Sequence, residues 1–149
     1  PPAHARREIR VTARVFPPHI STPTEALDYL PVWAERFGGV IRDGVRADLR
    51  HDYMYDVDDF HVDFPDIGTV LTVAVLFTAG LDAVYYKFDL RHTDGTLLWR
   101  EDNHGGHEHD HGGPCHLHIG PEENRRVPAS PATLASIAEK VVATHIRID

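Results

Sequence analysis

Cysteine is nearly absent: Cys115 is the only one in 149 residues. An internal disulfide framework is therefore excluded, and a reducing, cytoplasmic setting is expected. No apolar run has the length of a membrane-spanning helix, so no membrane association is expected. The opening stretch PPAHARREIR carries neither an apolar signal region nor an initiator methionine, and it reads as a trimmed start. Positive charge is scarce: 15 Lys and Arg stand against 23 Asp and Glu, for a net charge of −8 with neutral histidines. That balance excludes a broad, nonspecific nucleic-acid binder and leaves room only for a small local basic face. Repeats and linkers are also missing. One domain over residues 1–149 is expected, long enough to bury a real core.

Histidine is what the chain has in quantity. Six of its twelve histidines fall in residues 103–120, NHGGHEHDHGGPCHLHIG. Their number makes the net charge sensitive to mildly acidic pH.

Hydropathy patterning predicts an α+β fold, a mainly antiparallel sheet with two or three helices packed on one face. Glu8–Phe16 alternates with period two, as a half-buried strand does, with Ile9, Val11, Ala13 and Val15 on one side. Thr22, Pro23 and Glu25 form the start of a helix, a capping box with proline at the first helical position. Leu27, Leu30, Ala34 and Phe37 make its apolar stripe, Gly38-Gly39 stop it, and Pro31 is expected to kink or split it. Val40–Arg50 reads as strand material around an Asp43-Gly44 turn. Residues 52–66 are acidic with interleaved aromatics, which reads first as a solvated edge strand or loop and alternatively as a docking surface for a basic partner. Thr69–Thr78 is almost continuously apolar and β-branched, the pattern of a central strand buried on both faces.

The strongest local signal is a hairpin. AVYYKFDLRHT and TLLWRED flank Asp94-Gly95, a two-residue turn that pairs Thr93 with Thr96. That register sets Leu90 opposite Trp99, Asp89 opposite Arg100 and Lys87 opposite Asp102. Arg100 and Asp102 are then accounted for as surface ion pairs, worth little each. Pro121–Pro128 reads as a polar turn. Ser130-Pro131 caps a last helix whose buried face carries Leu134, Ile137, Ala138, Val141 and His145.

The histidine stretch divides in two. Cys115-His116-Leu117-His118-Ile119 alternates, so His116 and His118 share the outward face, roughly 6–7 Å apart along a strand. Histidine is the natural acid or base near neutral pH. RNA cleavage needs a 2′-OH proton removed, negative charge on phosphorus stabilised and a leaving oxygen protonated. Two histidines and an arginine supply those roles, and His116, His118, His104 and Arg100 are at hand, with Asn103 to orient a group. The other part, with His104, His107, His109 and His111 among glycines, is expected to be a loop. It reads as solvated, or as a binder of zinc or nickel through His107, His109 and His111, with His116 and His118 as further ligands. Its spacing matches neither a zinc finger nor a zincin helix, and ordering such a loop costs entropy.

Taken together, Tyr86-x-Phe88-x-Leu90, Asp94-Gly95, Leu97, Arg100-x-Asp102-Asn103-His104 and His116-x-His118-x-Gly120 resemble the TumE-like toxins of prokaryotic toxin–antitoxin pairs, over roughly residues 84–146. In that family a strand–DG–strand hairpin leads to a DN motif, a histidine-rich loop, an H-x-H and a C-terminal helix. The resemblance implies a small cytoplasmic toxin acting on RNA or translation, with no required cofactor, and neutralised by a helix-turn-helix antitoxin. By motif position it implies Arg100, Asp102, Asn103, His104, His116 and His118 as functional residues. An RNA substrate, that antitoxin and a second copy of the chain are the partners expected. Two features stand apart from the family pattern: the long acidic N-terminal half and the insert HEHDHGGPC. A metal-binding or metal-sensing module and a noncatalytic protein-interaction domain are the alternative readings.

Overall fold

The computed structural model describes residues 13–103 and 115–148. Within them lie two helices and eight strands, all paired antiparallel, in an α+β arrangement.

The first helix, α1, spans Pro23–Arg36 and starts as its sequence predicts: Thr22 Oγ1 accepts from the Glu25 N–H, and the Glu25 carboxylate accepts from the Thr22 N–H. Such caps contribute about 1 kcal/mol. Pro31 lies inside α1 without splitting it. The proline removes one helical N–H, while Ala26, Leu30, Trp33 and Ala34 on both sides of it are buried and hold the helix down. Gly38 ends it with φ +93°, and the Gly39 N–H returns to the Ala34 carbonyl at 3.0 Å.

The strands are β1 (Val40–Ile41), β2 (Ala47–Leu49), β3 (Tyr55–Phe64), β4 (Thr69–Phe77), β5 (Ala83–His92), β6 (Leu97–Asp102), β7 (His116–Ile119) and β8 (Arg126–Pro128). From β3 to β8 each strand pairs with the next in sequence, and β1 and β2 both pair along the outer side of β3. The second helix, α2, spans Leu134–Ile148.

Both helices cover one face. Trp33 of α1 stands edge-on to Phe88 of β5, and its Nε1 donates to the Leu134 carbonyl of α2 at 2.8 Å. On α2, Thr144 accepts from Trp99 Nε1, and His145 Nε2 lies 2.8 Å from Thr69 Oγ1. Phe60, Val62, Leu71, Val73, Val75, Tyr86, Phe88 and Leu90 fill the core between sheet and helices.

Several expectations are corrected. The body of the acidic stretch is neither loop nor edge, although Asp52 and Asp66 lie in turns: β3 is a ten-residue strand with β4 on one side and β1 and β2 on the other. A bulge at Asp58-Asp59, with Asp59 at φ +52°, keeps both Val57 and Phe60 buried although they are three residues apart. Strand β4 is not fully buried on both faces, because Val70, Thr72 and Leu76 on the side away from the helices are half-buried. Residues 8–12 of the first predicted strand lie outside the described residues. The remainder of that strand makes only an isolated bridge, Ala13 with Ala83, before Val15 and Phe16 both turn into the core. The last helix is capped not by Ser130-Pro131 but by Thr133, whose Oγ1 accepts from the Ser136 N–H while Ser136 Oγ accepts from the Thr133 N–H. Part of the predicted polar turn is strand β8.

The predicted hairpin pairs are present: Leu90 with Trp99, Asp89 with Arg100, Lys87 with Asp102. The turn between them differs. His92 pairs with Thr96 through a 2.9 Å bond, leaving three residues in the loop with Gly95 at φ +95°. The register then shifts between Leu90 and Arg91, which restores the predicted partners.

Candidate functional site

The face away from the helices carries a polar cluster that the sheet register builds row by row. In one row Asp89, Arg100, His118 and Arg126 follow each other across β5, β6, β7 and β8. In the next, Lys87 lies beside Asp102 and Asp102 beside His116. Alternation along β6 and β7 therefore puts Arg100, Asp102, His116 and His118 on a single face, while Glu101 points to the helix side and meets Lys140 of α2 at 2.8 Å.

His116 and His118 do face away from the helices, as predicted, yet they are 1% and 4% exposed. Their ring centroids are 6.4 Å apart. Arg100 and Asp102 are no surface pair either: Asp89 and Asp102 are both buried, and Arg100 lies 3.7 Å from the first and 3.2 Å from the second. Partners of this kind are costly to remove singly, because the charge left behind is desolvated.

His118 sits in the middle of the cluster. Its Nε2 is 3.2 Å from Asp102 Oδ2, and its Nδ1 is 3.3 Å from Arg100 Nη2 and 3.2 Å from the Glu123 carbonyl. One nitrogen cannot serve both of those neighbours. Bare Nδ1 accepts from Arg100; protonated Nδ1 donates to the carbonyl. Burial pushes the His118 pKa down, with Asp102 pulling it up and Arg100 and His116 adding to the depression. The depression favours the uncharged ring.

His145 is the second buried imidazole whose pKa is lowered, by desolvation against Phe64 and Thr69. Unfolding returns both rings to an ordinary value near 6.5. Below that pH the unfolded chain binds more protons than the folded one, so stability is complete above about 6.5 and falls as pH drops below it. Melting temperatures measured from pH 7.5 to 5.5 are expected to decline, and His145→Leu should flatten the decline; a flat wild-type profile contradicts this.

Three residues of the cluster, Asp89, Arg91 and Glu123, were not among the sequence candidates. Arg91 is held side-on by Asp89 (Nε to Oδ1 2.8 Å, Nη2 to Oδ2 3.1 Å) and by the Gly95 carbonyl at 3.0 Å. Its terminal fork grips Glu123, Nη1 to Oε2 at 2.7 Å and Nη2 to Oε1 at 2.9 Å. Arg100 Nη1 is 3.5 Å from the same carboxylate. The two guanidiniums hold the Glu123 carboxyl below its usual range, Arg91 most strongly. Tyr85 borders the cluster, its phenol pushed up by burial and then by the charge of Asp102. The alternation Lys87-x-Asp89-x-Arg91 was the available sequence signal for two of the three. Nothing local pointed to Glu123, 32 residues from Arg91.

Asn103 is differently employed. Its Oδ1 accepts from the Tyr86 N–H at 2.8 Å and its Nδ2 donates to the Val84 carbonyl at 3.2 Å, closing the end of the β5–β6 ladder. The amide that was expected to orient a reacting group is occupied by β5 backbone. Asn103→Ala leaves the buried Tyr86 N–H without this acceptor, which costs about 1–3 kcal/mol. Urea unfolding should show that loss, with activity per folded molecule unchanged; an unchanged midpoint contradicts the assignment.

His104, and the metal candidates His107, His109 and His111, lie outside the described residues. Among the described residues no group of three or more His, Cys, Asp or Glu is placed to hold a metal ion. Cys115 is buried beside Tyr86 as a free thiol. Among the described residues no helix is long and apolar enough to cross a membrane. No family model, no curated protein and no solved structure matches this chain.

Proposed function

We propose that the chain is the toxin of a toxin–antitoxin pair and acts on RNA through the cluster around His118. One observation carries the reading: an imidazole held between Arg100 and Asp102, with a second imidazole, His116, on the same face. His118 takes the 2′-OH proton on Nδ1 as Arg100 turns from that nitrogen to the phosphate, leaving Nε2 beside Asp102. Arg100 stabilises charge gathering on phosphorus, and Asp102 orients the ring and offsets the charge it acquires. His116 returns a proton to the leaving oxygen. The resemblance to TumE-like toxins over residues 84–146 supports the same reading, and with it comes the helix-turn-helix antitoxin as partner.

The test is induced expression of the wild-type chain beside His116→Ala/His118→Ala. Growth arrest by the first and its relief in the second are expected; equal arrest by both removes this site from the proposal. A second reading, a noncatalytic interaction domain, is favoured by the burial of both rings. It requires that purified protein leave RNA uncut.

A further inference from the structure

Glu123 is the exposed member of an otherwise sheltered ionic cluster. Its side chain is 57% exposed, against 29% for Arg91, 19% for Arg100 and 9% for Asp89. It lies in the turn between β7 and β8, where no strand pairing holds it. Arg91, by contrast, is fixed without it. Asp89 occupies Nε and one edge of Nη2, and the Gly95 carbonyl takes a proton of Nη1. What remains is the outer fork of Nη1 and Nη2, preset in direction and closed, among the described residues, by the Glu123 carboxylate. Arg100 presents a further nitrogen to the same carboxylate from the neighbouring strand.

A fork of this kind takes a carboxylate or a phosphate with the same two parallel hydrogen bonds. A phosphodiester carries one negative charge and two non-bridging oxygens. It therefore replaces a carboxylate charge for charge and bond for bond, with Asp89 and Asp102 still neutralising the inner sides of the two arginines. The Glu123 carbonyl also lies against His118 Nδ1, so withdrawal of this turn removes one neighbour of the imidazole.

We infer that the outer fork of Arg91, together with Arg100, is a phosphodiester-binding seat, and that Glu123 is a built-in substitute anion that the ligand displaces. The identity of the larger ligand as RNA rests on the function proposed above; the anion seat does not.

The test is binding of a 2′-O-methyl hexanucleotide, which cannot be cleaved by a 2′-OH route, followed by fluorescence anisotropy. Glu123→Gln keeps the shape and removes the competing charge. It should bind roughly tenfold more tightly than wild type, because a neutral amide holds the fork more weakly than the charged carboxylate that the ligand must displace. Glu122→Gln makes the same change in net charge on the adjacent residue and should leave binding unchanged. Adding Arg91→Lys to Glu123→Gln keeps the positive charge, removes the fork and should abolish the gain. An unchanged affinity in Glu123→Gln, or an equal gain in Glu122→Gln, overturns the seat. Cleavage of the matching ribo-oligonucleotide is scored separately. A gain in Glu123→Gln with no cleavage leaves the seat standing and removes the RNA-cleaving function. Cleavage that depends on His118, with no gain in Glu123→Gln, does the reverse.

Discussion

On the proposed RNA-cleaving function, His118→Ala is expected to lower the rate by about 10²–10⁴, the range supplied by a positioned acid or base. The ring is in contact with both charged neighbours, Arg100 on one nitrogen and Asp102 on the other. Losing it removes the proton acceptor while Arg100 still pairs with Asp102 at 3.2 Å. A structural role is separated from a chemical one by pH. Because burial lowers the His118 pKa, the acid limb of the wild-type rate profile should inflect below about 6.5. His118→Ala should lack that limb. A variant that cleaves at the wild-type rate, or that keeps the limb, shows that the base lies elsewhere.

Trp33→Ala is expected to cost about 3–5 kcal/mol, the range for emptying a buried aromatic site. A domain of this size has about 5–15 kcal/mol in total, so the variant should be close to unfolded at 37 °C. Three elements meet on this ring. It packs edge-on against Phe37 just beyond α1 and against Phe88 of β5, and it bonds to the Leu134 carbonyl at the start of α2. Trp33→Phe isolates the parts: it keeps most of the ring and loses the N–H bond, so about 1 kcal/mol of the loss should persist beyond the change in ring size. Urea midpoints of the three proteins measure this. A loss in Trp33→Ala below about 1 kcal/mol means that the two helices are held independently.

Local chemistry makes parts of this fold legible, and long-range contact hides the rest. The capping box at Thr22 and Glu25 and the Gly38-Gly39 stop are each written within a few residues, and both ends of α1 obey them. Around Asp94-Gly95 the expected cross-strand partners are present for a different reason than expected. The loop has three residues instead of two, and the bulge at Leu98 absorbs the extra one. The face of His116 and His118 is set by period two, but their burial is not, since alternation gives direction without giving what lies above a strand. In β3 the aspartates mask the buried set of Val57, Phe60, Val62 and Phe64. Arg91 and Glu123 meet only after β5 and the β7–β8 turn are brought together by the sheet. Asn103 stands out in the sequence for a reacting group, and its amide serves the backbone of β5.

The order of strands has a consequence for how the cluster is assembled and how freely the rest of the chain can vary. Asp89, Arg91, Arg100, Asp102, His116, His118 and Glu123 all come from β5 to β8 and the turns between them, in a stretch where every strand pairs with its sequence neighbour. Closing such neighbours costs little loop entropy, so the polar rows can form before α1 docks across the opposite face. None of these seven residues comes from the acidic strand β3, from the short β1 and β2, or from α1. The charge, length and surface of those elements are thus open to drift, while the hairpin and the two rows beyond it are bound to one another by register.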